Sequence, residues 1–171
     1  CSLGFQDDPG GHGLERMTLA DIEADVMAAE GRLAELFPRE SRSYCYPCYQ
    51  THVGEGLDRQ SYVPVIAKHF VAGRGIGEVP NHSLTCDLHC LWSWDVSRMT
   101  GANLVGLAEQ CASRGRWGLL VFHGIDSGHL PVSSVDFVEL CAHLERHSNR
   151  IWTAPVAEVA DWVRELRRDQ K

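Results

Sequence analysis

Gly118-Leu119-Leu120-Val121-Phe122-His123-Gly124-Ile125 is the stretch that decides the predicted fold. A short apolar run closed by a His-Gly pair is typical of a buried strand in a parallel sheet. Such a strand delivers His123 to its carboxyl end, where α/β proteins bind ligands and carry out chemistry. Core packing gives no reason for a strand to end in an imidazole, which titrates near neutral pH. We therefore expect a function for His123; the alternative is a histidine hydrogen-bonded at a loop mouth.

Helix and strand patterns alternate along the rest of the chain. Five helices are predicted to begin after Thr18, at Ser61, after Thr100, at Ser133 or Ser134, and at Pro155. The remaining strand candidates are residues 42–46, 70–73, 88–94 and 149–153. Strands that alternate with helices form βα units, which favours an α/β fold with a parallel sheet, open or closed. No linker interrupts the pattern, so we expect a single domain over residues 1–171.

The first helix carries a regular apolar stripe that is predicted to face the core. Its members are Leu19, Ile22, Val26, Ala29, Leu33 and Leu36. Their spacing of three and four residues is typical of one helix face.

Composition limits the class of protein. The 171 residues are 44% hydrophobic and carry a formal charge of −7, which argues against a nucleic-acid partner because such partners are held by cationic side chains. No apolar stretch approaches the roughly 18 residues of a membrane span. Seven dispersed cysteines do not suggest a disulfide scaffold and favour a reducing compartment such as the cytoplasm. The chain begins with Cys1 rather than Met, and we expect this start to be a cut edge.

Three stretches stand out when they are taken in order. They are Ser43-Tyr44-Cys45-Tyr46-Pro47-Cys48, then Leu120-Val121-Phe122-His123, and then residues 151–160, Ile-Trp-Thr-Ala-Pro-Val-Ala-Glu-Val-Ala. Together they resemble polysaccharide deacetylases with a NodB homology domain. The resemblance covers residues 17–166 and implies an irregular (β/α) barrel. It also implies a hydrolase that removes N- or O-linked acetyl groups from a polysaccharide or related amide with a divalent metal, zinc being favoured.

The resemblance assigns roles to particular residues. His123 would protonate the leaving group, and Leu120 would line the pocket for the acetyl methyl group. Tyr46 and Pro47 would shape the substrate groove, whereas Cys45 stands where the family has an arginine that orients the catalytic base.

The family's aspartate near a tryptophan has its nearest match in Trp94-Asp95. Asp95 is therefore the second expected catalytic residue, with Asp87 as a rival. Trp94 is expected to contact substrate; Trp92 and Trp94 alternate along one strand, and either core packing or a sugar-stacking platform would explain the pair.

The family's metal-binding motifs have no counterpart in this chain. Its paired aspartates and its His-x-x-x-His do not occur, and residues 6–10, Gln-Asp-Asp-Pro-Gly, are predicted to form a polar turn. We expect those motifs to precede Cys1, so that the barrel is incomplete at its N-terminus. The expectation follows that this chain alone binds no metal at the catalytic site and is inactive without the remainder.

Two other functions compete with the hydrolase. One is a non-catalytic carbohydrate-binding or scaffold domain of the same fold. The other is a small zinc or thiol module centred on Cys45 and Cys48, with Cys86, His89 and Cys90 as further ligands. A metal clamp of Glu139, His143 and His147 on the fourth helix is also possible by spacing, but a solvated helix face is the preferred interpretation.

Overall fold

The computed structural model describes residues 13–38 and 41–170, and all five predicted helices are present. They are α1 at Leu19–Leu36, α2 at Val63–His69, α3 at Gly101–Ser113, α4 at Ser134–Arg146 and α5 at Val156–Arg168. Thr18, Thr100 and Ser133 each accept a hydrogen bond from the backbone N–H three residues later. These bonds satisfy amides in the first turn of each helix that have no partner within the helix. Thr and Ser are therefore favoured just before a helix, and these residues located three of the helix starts.

The strands of the described residues are short and form three two-stranded sheets. They are β1 at Ser43–Cys45, β2 at His52–Val53, β3 at Gln60–Ser61, β4 at Ala72–Arg74, β5 at Trp94–Asp95 and β6 at Leu120–Val121. β1 pairs with β4 and β5 pairs with β6, both in parallel, whereas β2 and β3 are antiparallel. The described chain is thus mixed helix and small sheets, none of them closed, and the (β/α) barrel stays a prediction.

Two of the strand predictions were wrong in part or whole. The described residues 149–153 form no strand, because the amides of Arg150 and Ile151 both bond to the carbonyl of His147 as the chain leaves α4. In the predicted strand 88–94, only Trp94 belongs to a strand. The carboxylate of Asp87 accepts a hydrogen bond from the amide of His89, and this bond stabilises a turn at the start of the predicted strand.

The described residues divide into two compact units. The first contains residues 13–38, 41–75 and 87–90, and the second contains residues 76–86 and 91–170. The prediction of a single domain over residues 1–171 stays a prediction.

An aromatic cluster forms part of the core of the first unit. Tyr46 and Tyr62 are buried, with ring centroids 5.4 Å apart, and each hydroxyl donates to a backbone carbonyl, of His89 and Gln50 respectively. Tyr44 packs on both rings, and burial raises the pKa of its hydroxyl to about 12.

Only two of the six residues of the predicted stripe on α1 are buried. Ile22 and Val26 lie in the core, whereas Leu33 and Leu36 are 45% and 53% exposed. α1 has 18 residues and packs on α2, which has only seven, so the partner helix is too short to cover the whole stripe.

The core of the second unit lies where α3 packs against α4 beside β5 and β6. Its largest buried members include Trp94, Val96, Leu104 and Val132. Asn81, 2% exposed, donates to the carbonyls of Trp92 and Trp117 and accepts the amide of Trp92. These bonds satisfy a polar side chain that would otherwise be costly to bury.

Within the described ranges, no helix has both the length and the apolar character that crossing a membrane requires.

Replacing Gly73 tests the packing of the first unit. A Cβ at Gly73 would lie 2.7 Å from the carbonyl oxygen of His89 and 2.9 Å from the ring of Tyr46. We expect Gly73→Ala to lower the free energy of unfolding by about 1–3 kcal/mol, as overpacked cores do. Urea denaturation measures the change in the free energy of unfolding. Hydrogen exchange of the first unit's amides shows whether the change lies in that unit.

The matched control is Gly31→Ala, in the middle of α1, where a Cβ would meet nothing within 4 Å. Alanine favours a helix by up to about 1 kcal/mol over glycine, so this variant should be more stable than the wild type. Equal stability of Gly73→Ala and the wild type would contradict the close contact at Gly73.

Candidate active site

The parallel pairing of β5 and β6 brings two predicted catalytic residues to one edge. Trp94 lies opposite Leu120, and Asp95 lies opposite Val121. Asp95 ends β5, and His123 follows the end of β6 by two residues. Because carboxyl ends of parallel strands share an edge, the two side chains meet there, as the strand pattern predicts for functional residues.

Ser97 joins these two side chains. The Nδ1 atom of His123 lies 3.7 Å from the Oδ1 atom of Asp95 and 3.4 Å from the hydroxyl oxygen of Ser97. The Ser97 amide donates to the same Asp95 oxygen at 2.9 Å, and the Ser97 hydroxyl donates to it as well. We call these three residues the Asp95–Ser97–His123 cluster.

The cluster keeps Asp95 ionised. Partial burial raises the pKa of the Asp95 carboxyl, but the hydrogen bonds from Ser97 and the charges of His123 and His129 outweigh it and leave the pKa below its usual value.

One imidazole nitrogen of His123 is directed away from Ser97 and Asp95. The Nδ1 atom of His123 faces Ser97 and Asp95, so Nε2 is the nitrogen available to a bound molecule. The side chains of His123 and Asp95 are 34% and 29% exposed, so solvent and substrates can reach the cluster. An accessible histidine oriented by a carboxylate is suited to donating or accepting a proton.

The edge does not supply a metal site by itself. His129 is the next histidine, and its ring centroid lies 6.1 Å from that of His123. Among the described residues here, Asp95, His123 and His129 do not bring three ligand atoms within 4.8 Å of one another. These donors therefore do not fit the divalent metal that the family resemblance implies, which needs about three protein ligands.

Leu120 and Trp94 both contribute to the core of the second unit. Leu120 is partly buried against it, and Trp94 is only 5% exposed. Trp92 precedes β5 and is 49% exposed, so the two tryptophans do not share the face that their alternation predicted. Contact of Leu120 or Trp94 with substrate stays a prediction.

Tyr46, Pro47 and Asp87 belong to the first unit. Tyr46 is 1% exposed, and its hydroxyl bonds to the carbonyl of His89 at 2.7 Å. Pro47 begins a short 3₁₀ turn, Pro47–Tyr49. Substrate contact by Tyr46 and Pro47 stays a prediction, and the carboxylate of Asp87, the rival of Asp95, is engaged by a backbone amide in a turn.

The described cysteines of the first unit, Cys45, Cys48 and Cys90, do not gather into a metal site. Cys45 and Cys48 are free and exposed, and Cys90 is partly buried. Within that unit's described residues, no three of Cys45, Cys48, His89 and Cys90 bring ligand atoms within 4.8 Å. The zinc or thiol module therefore gains no support from this arrangement.

Two features of the second unit escaped the sequence interpretation. Ser97 was missed, although an aspartate followed two positions later by serine is a common turn signal. The second is a cluster of Glu109, His143 and His147, whose ligand atoms lie within 4.8 Å of one another. The spacing suggested Glu139 as the partner of the two histidines, but Glu139 packs beside Gly101 at the start of α3.

Comparison of the chain with protein-family models, with curated proteins and with solved structures finds no match in any of the three.

Replacing Ser97 tests the electrostatics of the cluster. Ser97→Ala removes the hydroxyl bond to Asp95 and keeps the amide bond, so we expect the pKa of Asp95 to rise towards its usual value. A pH titration of the Asp95 carboxyl carbon by NMR measures this shift. Ser113→Ala, which removes a hydroxyl bonded to the carbonyl of Gln110, is the control and should leave the titration unchanged.

The same variant has a predicted pH-dependent stability. A carboxyl whose pKa is lowered by folding stabilises the fold above its unfolded pKa, and this contribution is lost as the pH falls through the folded pKa. Ser97→Ala should therefore be less stable than the wild type at neutral pH, and the difference should shrink on acidification. A difference that grows on acidification would contradict the assignment.

Proposed function

We propose that the protein is a hydrolase that removes acetyl groups from a carbohydrate or a related amide, with His123 as proton donor and Asp95 as its positioning residue. The observation that carries the proposal is the Asp95–Ser97–His123 cluster at the carboxyl edge of β5 and β6, with Nδ1 of His123 3.7 Å from Asp95. The acetylated substrate class comes from the resemblance of residues 17–166 to polysaccharide deacetylases.

The cluster supports the proton-transfer half of the reaction. Once water has added to the acetyl carbon, the bond from that carbon to the sugar nitrogen or oxygen breaks. His123 in its imidazolium form gives its Nε2 proton to the departing atom, and acetate is the other product. Nδ1 remains directed at Ser97 and Asp95, which hold the ring in the orientation that the transfer requires.

A divalent metal, as the resemblance implies, would activate the water in such a reaction. The described residues at this edge do not form a three-ligand site for it. The proposed role of this chain's residues is therefore limited to orienting and protonating the leaving group.

Replacing His123 tests this function. We expect His123→Ala to lower the rate of acetate release by about 10²- to 10⁴-fold, the usual contribution of a general acid. Asp95→Asn should cause a smaller loss, because the imidazole remains and only the contact that orients it is weakened. The measurement is acetate release from acetylated chito- and xylo-oligosaccharides by the full-length protein in the presence of zinc.

His129→Ala is the matched control, since this exposed histidine lies in the same loop with its ring beside that of His123. It should retain most of the activity. Full activity of His123→Ala would show that the assigned proton donor is wrong.

A second candidate is a carbohydrate-binding domain without catalysis, and a pair of exposed tryptophans favours it. Trp152 and Trp162 are 52% and 47% exposed, with ring centroids 5.8 Å apart and planes at 74°. Exposed indoles offer apolar faces on which sugar rings can stack. A bound sugar would remove these faces from water, which is favourable.

Replacing the two exposed tryptophans separates the candidates. If the protein is a binding domain, Trp152→Ala and Trp162→Ala should each weaken oligosaccharide binding in calorimetric titrations, and His123→Ala should not. If the hydrolase proposal is right, His123→Ala should reduce acetate release while the tryptophan variants retain the chemical step.

A further inference from the structure

Two histidines of α4 face a carboxylate of α3. His143 lies in the last turn of α4, His147 caps its C-terminus, and Glu109 lies in the second half of α3. Residues four apart lie on the same helix face, so the two imidazoles are neighbours, with ring centroids 4.5 Å apart. The packing of α3 against α4 brings Glu109 to them.

The three side chains are already gathered. The Nε2 atom of His143 lies 2.6 Å from the Oε1 atom of Glu109, and the side chain of His143 is only 11% exposed. One ligand atom from each of the three residues lies within 4.8 Å of the other two. The predicted solvated helix face is thus, at these positions, directed towards another helix.

We propose that Glu109, His143 and His147 bind a divalent transition-metal ion, with zinc as the preferred ion and water in the fourth position. Two imidazole nitrogens and one carboxylate oxygen are a ligand set that zinc accepts. Ligand atoms about 2.0–2.1 Å from a tetrahedral ion lie about 3.3 Å apart. The separations in the cluster bracket this value, since Nε2 of His143 lies 2.6 Å from Oε1 of Glu109 and the three ligand atoms lie within 4.8 Å of one another.

Arg150 adds a positive charge beside the proposed metal site. Its guanidinium donates to the same Glu109 oxygen that His143 contacts. This bond can hold the carboxylate in place for a metal, but the positive charge opposes a dication. Replacement of Arg150 by glutamine keeps a hydrogen-bond donor and removes the charge, so Arg150→Gln should bind zinc more tightly than the wild type.

The ion would join α3 to α4. Metal that binds the folded state alone stabilises it by mass action, so zinc should raise the melting temperature of the protein. Three protein ligands also leave one coordination position open to water, as in zinc sites that perform hydrolysis. This inference does not rest on the proposed function of the Asp95–Ser97–His123 cluster.

The test is titration of the metal-free protein with zinc ions alone, after its cysteines have been alkylated so that thiolates do not compete. We expect one ion per chain by calorimetry and a rise in melting temperature. Glu109→Gln and His147→Ala should each weaken binding by at least about tenfold. Both positions are only partly buried, so these variants should fold even if replacement of His143 does not.

The matched controls are Glu139→Gln, a carboxylate of α4 outside the cluster, and His129→Ala, a histidine elsewhere in the second unit. Both should bind zinc as the wild type does. Absence of a bound ion in the wild type, or unchanged binding after Glu109→Gln and His147→Ala are combined, would overturn the proposal.

Discussion

Main-chain hydrogen bonds hold β5 beside β6, and the candidate active site depends on this pairing. The Trp94 amide donates to the Leu119 carbonyl at 3.0 Å, and the Val96 amide donates to Val121 at 3.3 Å. This register directs Trp94 into the core and leaves Asp95 partly exposed beside the loop that carries His123. Because side chains alternate along a strand, a shift of one residue would bury the carboxylate and expose the indole. The large apolar area of Trp94 therefore fixes the position of the acid that orients His123.

The packing of α3 on α4 is held by a polar contact near each end. The carboxylate of Asp136 accepts the amide of Gly101 at 2.6 Å near the starts of the two helices, and Glu109 contacts His143 near their ends. The N-terminal ends of α3 and α4 therefore lie together, as do their C-terminal ends, so the two helices run parallel. Parallel helices are expected where each follows one of two parallel strands, as α3 follows β5 and α4 follows β6. The same arrangement that pairs the strands thus also brings the proposed zinc ligands together.

The sequence predicted helices better than strands, for a physical reason. A capping residue such as Thr18 or Ser133 acts on an amide three positions away, so the signal is local. The strands have two or three residues each, too few for a periodic pattern, and β2 and β3 were missed. The apolar run before His123 predicted its place at a strand end, whereas Asp95 was singled out only by the family resemblance, and the catalytic roles of both stay predictions. Glu109 could not be assigned to His143, because the two are 34 positions apart and only tertiary packing joins them.

The division of the chain into two units has an optical consequence. All five tryptophans, from Trp92 to Trp162, lie in the second unit, and all four tyrosines, from Tyr44 to Tyr62, lie in the first. Indole fluorescence therefore follows the environment of one unit, and phenol absorbance follows that of the other. Each unit carries its own intrinsic chromophore, so a single denaturation experiment read at two wavelengths can distinguish concerted from stepwise unfolding without any label.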